Sequence, residues 1–328
     1  MSKISQNSID KVKAAVDIVD VISSFVRLEK KGPGYVGVCP FHNDRHPSMR
    51  VTPSRQIYKC FVCGAGGDVF DFLQRHENMS FTEAVLWCAR RAGMQVEETE
   101  VTKEELEVRK HREALYITMD AATNFFQSQL PSAGAYLKER GYSLDDAILK
   151  TFRIGYAPQG NKAYTSLTSS GYLSQNLVEV NVVAKGDYDY YDVFRDRIVF
   201  PFLDMQGRPV AYSGRIVTPN KKVGKYVNTT DTPLFNKGKH LFGLYQAYRS
   251  ISQVGYVYLV EGQFDVMSLY ATGVKNVVAG SGTALTEEQV KLISRYSNKV
   301  VLVYDDDEAG IKASMKNCET MLRAGLTN

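Results

Sequence analysis

The sequence predicts a multidomain protein of mixed α+β and α/β class: a small module organised around a metal, an α/β subdomain, and a parallel-sheet α/β subdomain at the C-terminal end. Three observations carry that expectation. Cys39-Pro-Phe-His42 and Cys60-Phe-Val-Cys63 are two pairs of ligand-type residues, each with a two-residue gap that lets both side chains turn onto one tetrahedral ion. VYLV at 257–260 runs into Glu261, Gly262 and Asp265, and KVVLVY at 299–304 runs into DDDEAG. Short apolar runs bounded by glycine read as strands buried on both faces, and acids just past them lie at the edge where α/β sheets bind ligands. From Val254 onward strand and helix patterns alternate, which implies helical crossovers and a parallel sheet.

With 328 residues there is room for two or three cores, and 44% hydrophobic with 23% charged residues excludes wholesale disorder. A net charge of +4 is too small to imply a nucleic-acid partner unless basic residues crowd into one region. No apolar run is long enough to span a bilayer, and MSKISQNSID lacks the apolar core of a signal peptide. A cytoplasmic protein without a membrane partner is therefore expected. In that compartment three cysteines between 39 and 63 point to metal rather than to disulfides.

Ile9 to Leu28 has near-helical apolar spacing and is expected as one amphipathic helix. Lys30 to Cys63, rich in glycine, proline and cysteine, reads as small strands held by the metal. Val69–Arg75 and Ser80–Gly93 look helical, Ser80 with Glu83 fitting a capping box. Glu97 to Arg112 is densely charged with both signs and reads as a linker, or a solvated helix, joining two domains. Helices are expected over Leu115–Gln129 and Ser143–Lys150, then short strands and turns from Phe152 to Gly243. GSGTALT reads as a strand-to-helix turn, with Thr286, Glu287 and Glu288 opening the helix after it. The expected division is 1–96, a linker at 97–113, a basic subdomain at 114–250 and an acidic α/β subdomain at 251–328.

Cys39, His42, Cys60 and Cys63 supply four ligands with no vacancy, so the expected ion is a single structural zinc. His46 would be a fifth candidate and is left out; Cys88 and Cys318 read as structural. Lys30, Lys31, Arg45, Arg50, Arg55 and Lys59 interleave with Tyr35, Phe41, Tyr58 and Phe61, a composition suited to single-stranded nucleic acid or, for the aromatics, to the module's own core. Arg195, Arg197, Arg208, Arg215, Lys221, Lys222, Lys225, Lys237 and Lys239 crowd the middle of the chain and suggest a surface for triphosphates and a nucleic-acid backbone. Glu261, Asp305 and Asp307 offer hard oxygens without nearby histidine or cysteine, which suits magnesium, with Mn2+ as an alternative. The chemistry implied is phosphoryl or nucleotidyl transfer. No serine or cysteine nucleophile with a base, dinucleotide-binding glycine loop or P-loop is recognisable.

With these residues in view, the chain resembles the bacterial DnaG-type DNA primases over nearly its whole length. CPFHND and YKCFVCGAGGDVFDFL are similar to that family's N-terminal zinc ribbon, RDRIVFPFLDMQGRPVAYSGR and KYVNTTDTPLFNKGKHLFGLYQA to the basic motifs of its RNA polymerase domain, and EGQFD with DDDEAG to the Toprim signature shared with topoisomerases. The resemblance implies zinc on Cys39, His42, Cys60 and Cys63, catalytic Mg2+ on Glu261, Asp305 and Asp307 with Asp265 supporting, and nucleotide or template contacts from Arg197, Arg215, Lys225 and Lys237. It further implies synthesis of short RNA primers on single-stranded DNA from nucleoside triphosphates, beside the replicative helicase, by a monomer. Ser213 stands where the family commonly has a second glycine, and Asp306 where a small residue is usual. The family's further metal-binding aspartates, the rest of Toprim and the helicase-binding domain would lie beyond Asn328, so a fragment is expected. Two alternatives are a non-catalytic single-stranded DNA-binding protein and a Toprim nuclease or topoisomerase.

Overall fold

In a computed structural model of the chain, residues 2–44, 46–77, 79–100, 102–219, 223–280, 282 and 284–323 are described. Arg45, Lys221 and Lys222, named above among the basic residues, lie outside them, as do Ser281 and Thr283 of the GSGTALT turn. The chain divides into two compact units, Met1–Glu107 and Val108–Asn328.

In the first unit the helix expected over Ile9–Leu28 is two helices, Gln6–Ala15 and Ile18–Ser23. Val16 is extended, and the Asp17 side chain accepts from the Val19 N–H to cap the second helix. A capping aspartate thus breaks a continuous apolar period. Leu28 already belongs to a strand, the first of a five-stranded antiparallel sheet in the order Leu28–Lys31, Gly34–Gly37, Met49–Thr52, Ile57–Cys60 and Gly66–Gly67. Met49, Val51, Tyr58 and Cys60 point inward, while Arg50, Ile57 and Lys59 alternate outward. The inner face packs on helices Val69–His76 and Phe81–Arg91, with Phe70, Phe72, Leu73, Val85 and Cys88 in one core with Ile18 and Ile22. The Ser80–Glu83 capping box forms as expected.

The second unit is organised on two larger sheets, with a two-stranded hairpin of Val183–Lys185 and Tyr190–Asp192 beside them in the chain. Helix Lys103–Gln129 crosses the division between the units, so the charged stretch expected as a linker and the helix expected from Leu115 share one element. A four-stranded antiparallel sheet has the order Tyr226–Asn228, Pro209–Ile216, Arg197–Leu203, Gly155–Ala157. Tyr212 ties it to the long helix: its fully buried hydroxyl lies 2.7 Å from the Thr123 hydroxyl and 2.9 Å from the Met119 carbonyl. The helix expected from Ser143 is shorter, Ala147–Thr151, because the Ser143 N–H is bonded by the Asp146 side chain in a turn instead.

The C-terminal alternation of strand and helix gives the expected parallel sheet, ordered Val277–Ala279, Val257–Val260, Val300–Val303. Val260 pairs level with Val303, so Glu261 and Asp305 emerge from the same edge of neighbouring strands. Phe242 adds an antiparallel bridge to Ala279, joining the end of the basic segment to this sheet. Thr286 caps helix Glu287–Ser294 as expected. Among the described residues no helix is long and apolar enough to cross a membrane.

Candidate metal centre and candidate active site

The first unit brings together the four residues named for zinc. Ligand atoms of Cys39, His42, Cys60 and Cys63 all lie within 4.8 Å of one another, and the Cys39 and Cys63 sulfurs are 3.7 Å apart. Two sulfurs on a tetrahedral zinc at about 2.3 Å would be about 3.8 Å apart, so the spacing fits the ion. His42 Nδ1 is buried with no hydrogen-bond partner. An orphaned ring nitrogen beside three thiols is where a metal bond would go. Burial drives the Cys39 thiol well above its ordinary range, which disfavours a thiolate there unless a cation joins it. Cys60 accepts from the Val62 and Cys63 N–H groups, both at 3.4 Å, and lies 3.3 Å from the Ser48 hydroxyl. His46 is not among the four.

Asp44 is a support that the sequence reading passed over, although it stands two residues after His42. Its carboxylate accepts from the Cys39 N–H at 2.8 Å and the Ser48 hydroxyl at 2.6 Å, and lies 3.6 Å from His42 Nε2. The Cys39 N–H and then Ser48 hold Asp44 down at about 2. A carboxylate on the far nitrogen of a metal-binding imidazole fixes its orientation and leaves Nδ1 for the ion.

Of the aromatics near this centre, Tyr58 is buried and Tyr35 and Phe41 pack against the core, so they serve the fold. Phe61 is 73% exposed, on the knuckle between Cys60 and Cys63. Arg50 and Lys59 pair across neighbouring strands on the outward face.

In the second unit a cavity of about 270 Å³ is lined on one side by Ser213, Tyr226 and Asn228 of the antiparallel sheet. Glu261, Gly262, Gln263, Tyr304, Asp307 and Gly310 line it from the parallel sheet. The cavity therefore lies between the antiparallel sheet of the basic segment and the acidic strand ends, and among the described residues its lining carries the acids Glu261 and Asp307 but no lysine or arginine. The Asp305 N–H donates to Glu261 Oε1 at 3.2 Å, and the Gly310 N–H donates to Asp307 Oδ1 at 2.7 Å. Asp265 caps its own helix by accepting from the Gly262 N–H at 2.9 Å. Lost hydration, then repulsion from Asp305, Asp307 and Asp265, raises the Glu261 carboxyl despite the Asp305 N–H. Asp265 is exposed by surface area, yet lost hydration raises its carboxyl too, opposed by the Gly262 N–H and then by Arg215, with Asp305 adding repulsion.

Gly310 is a second feature the sequence displayed without explaining. A Cβ there would overlap the Asp305 carbonyl oxygen and come within 2.8 Å of Glu261 Oε1. Tyr304 is held from behind by Asn317, whose amide donates to its hydroxyl at 2.7 Å and accepts the Leu285 N–H at 2.8 Å.

The fit to a cation differs from that at the zinc centre. Among the described residues the Cys–His group is the one cluster of His, Cys, Asp or Glu found close enough to hold an ion as it stands; Glu261 and Asp305 instead follow neighbouring strands at one sheet edge, with Asp307 two residues further on. Such an edge suits a hard cation that keeps waters and shares itself with substrate phosphates.

The basic residues fall into distinct roles. Arg197 is 4% exposed, and its guanidinium donates to the carbonyls of Gly214, Gly224 and Lys225 at 2.9, 2.9 and 3.2 Å. Three of its five donors brace the loop between two strands; it does not line this cavity but a second one, with Arg195 and Thr218. Arg208 pairs with Asp204 at 2.8 Å and lies over the Tyr116 ring. Arg215 donates to the Tyr136 hydroxyl at 2.8 Å and the Tyr226 hydroxyl at 3.0 Å, beside the cavity wall. Lys225 and Lys237 are exposed, and the Lys237 ammonium is 4.0 Å from where a Cβ on Gly282, a cavity residue, would sit.

Family models match in the same order as these features: a CHC2 zinc finger over residues 4–104, the N-terminal domain of the DNA primase catalytic core over 122–248, and a Toprim-like domain over 258–328. The crystal structure of the Aquifex aeolicus primase, zinc-binding and RNA polymerase domains, is 38% identical and covers 97% of this chain and 77% of that one, with a TM-score of 0.61. The chain belongs to the DnaG primase family. DNA primases of Aquifex aeolicus and Synechococcus elongatus are 38% and 41% identical, covering 98% and 95% of this chain. This primase-family chain spans 63% and 46% of their lengths. A DnaG primase catalytic domain solved bound to single-stranded DNA is 34% identical with a TM-score of 0.58, covering 65% of this chain and 68% of that one.

Proposed function

We propose that this chain carries the zinc module and nucleotide site of a DNA primase, a DNA-directed RNA polymerase that makes short RNA primers on single-stranded DNA during replication in the cytoplasm. The observation that carries the reading is the shared cavity, where the strand-edge carboxylates Glu261 and Asp307 face the strand wall of Ser213, Tyr226 and Asn228. Glu261, Asp305 and Asp307 would hold Mg2+, with Asp265 fixing the turn after Glu261 through the Gly262 N–H. When bound, the ion supplies charge neutralisation for triphosphate and leaving pyrophosphate. Lys237, near Gly282 at the cavity, supplies a fixed cation for phosphate, and Arg215 holds the Tyr226 wall through its hydroxyl. Exposed Lys225 adds charge for a template backbone. In the zinc module, Phe61 with Arg50 and Lys59 offers a stacking face and cations to single-stranded template. The domain division 1–96, 97–113, 114–250 and 251–328, monomeric behaviour and engagement of a replicative helicase belong to the same reading.

A second reading, single-stranded DNA binding without catalysis, is favoured by the exposed Phe61 and the outward-facing Arg50 and Lys59, which need no metal at the acidic edge. Primer synthesis from NTPs on a single-stranded template, by wild type and Glu261→Gln, separates the two. Magnesium-dependent RNA product that falls by orders of magnitude in the variant is expected. Equal synthesis by both proteins would refute the assigned site, and salt-sensitive DNA binding with no product from either would establish the second reading.

A further inference from the structure

The cavity wall contains a polar group that the metal and phosphate roles leave unused. Ser213 is 0% exposed, lines the cavity, and its hydroxyl has no hydrogen-bond partner among the described residues. A buried hydroxyl left without a partner is costly. Its direction follows from the strand. A Cβ on Gly214 would lie 2.6 Å from the Phe194 ring, so that face of the strand is packed solid, and the alternation of side chains turns Ser213 and Arg215 to the opposite face. Asn228 pairs directly across from Ser213, and Tyr226 across from Arg215, so one wall presents a neutral hydroxyl and amide braced by a tyrosine and a guanidinium. The facing wall carries the acids Glu261 and Asp307, with Lys237 near Gly282.

We infer that Ser213 is a nucleotide-positioning residue, its hydroxyl hydrogen-bonding an uncharged group of the bound nucleotide, a sugar hydroxyl or a base edge. Charge sorts the ligand: phosphates belong with the cations and the acids that would hold metal, and the neutral part of the nucleotide meets the neutral wall. The inference rests on the nucleotide-site reading above. A serine with an open hydroxyl valence in the wall separates ligands that carry a matching group from those that lack it, because the mismatch leaves the buried hydroxyl unpaired.

Equilibrium binding of the four NTPs and four dNTPs, with Mg2+, to wild type, Ser213→Ala and Glu261→Gln tests it, alongside thermal melting. Ser213→Ala should weaken binding about 2- to 12-fold, the range for one net hydrogen bond, without lowering the melting temperature. Loss confined to NTPs identifies the 2′-hydroxyl; equal loss for all eight with unchanged melting identifies the 3′-hydroxyl they share; loss confined to particular bases, in NTPs and dNTPs alike, identifies the base edge. All eight nucleotides binding Ser213→Ala as they bind wild type, while Glu261→Gln loses them, would overturn the inference and leave the proposed function standing. A lowered melting temperature with equal weakening for all eight would make Ser213 structural and overturn it as well. Wild type that binds no nucleotide would remove both.

Discussion

Replacing Gly310 with alanine tests the acidic edge through packing rather than charge. The new methyl would overlap the Asp305 carbonyl oxygen, with the Asp305 carbonyl carbon at 3.0 Å and Glu261 Oε1 at 2.8 Å. The first obstacle is backbone, and that backbone is tied in place. The Asp305 N–H is bonded to Glu261 and the Gly310 N–H to Asp307. Relief therefore moves two of the three assigned carboxylates relative to the third. Forcing a methyl into a filled site costs about 1–3 kcal/mol, which for a unit of this size lowers melting by about 2–12 °C. A displacement of about 1 Å at a reacting centre costs on the order of 100-fold in rate. Calorimetry of Gly310→Ala should show the transition of the 108–328 unit falling while that of the 1–107 unit stays in place, an internal control offered by the two-unit architecture. Primer synthesis should fall with it. A variant that melts with wild type and synthesises at the wild-type rate would show that Asp305, Glu261 and Gly310 are not packed as described.

Cys60→Ser should lose zinc and unfold residues 1–107, since structural zinc contributes about 10–16 kcal/mol of apparent free energy in small zinc modules, comparable to or above a domain's whole stability; zinc analysis and circular dichroism check it, and a folded variant with full zinc refutes the ligand set. Without metal, the raised Glu261 and Asp265 carboxyls make the native state bind more protons than the unfolded one, so stability should fall as pH rises past their ordinary values of 4.5 and 3.8. Glu261→Gln should flatten that slope in urea titrations, and a slope of unchanged steepness counts against the crowding. Arg197→Lys exchanges a three-carbonyl fork for one ammonium and should cost about 1.5–3 kcal/mol in urea denaturation. Weakened NTP or template binding with full stability would return Arg197 to a direct contact role.

Much of the metal centre was legible because its ligands are close in sequence. A two-residue gap is a statement about local geometry, so the pairs at 39–42 and 60–63 could be named from spacing, and the four ligand atoms do converge. The parallel sheet was legible for a similar reason, since an apolar run ending in acids records a strand and its edge. Boundaries were less so. The period from Ile9 to Leu28 continues through Asp17, and only the hydrogen bond from Val19 shows that this aspartate starts a new helix.

What the sequence by itself determined is the inventory of chemistry: thiols and imidazole in the first unit, basic residues in the middle, carboxylates at two strand ends. What the tertiary structure decided is which of these groups are available. Arg197 and Lys237 look alike as cations in a basic stretch, yet Arg197 is buried and donates to three backbone carbonyls, while Lys237 is exposed with its ammonium near the cavity residue Gly282. Ser213 looks like a small variation beside Gly214, yet its hydroxyl is the open valence of the wall. Spacing along a chain reports neighbours within a turn or a strand, while burial and partnership are set by segments far apart in sequence, and those decide whether a side chain serves the fold or a ligand.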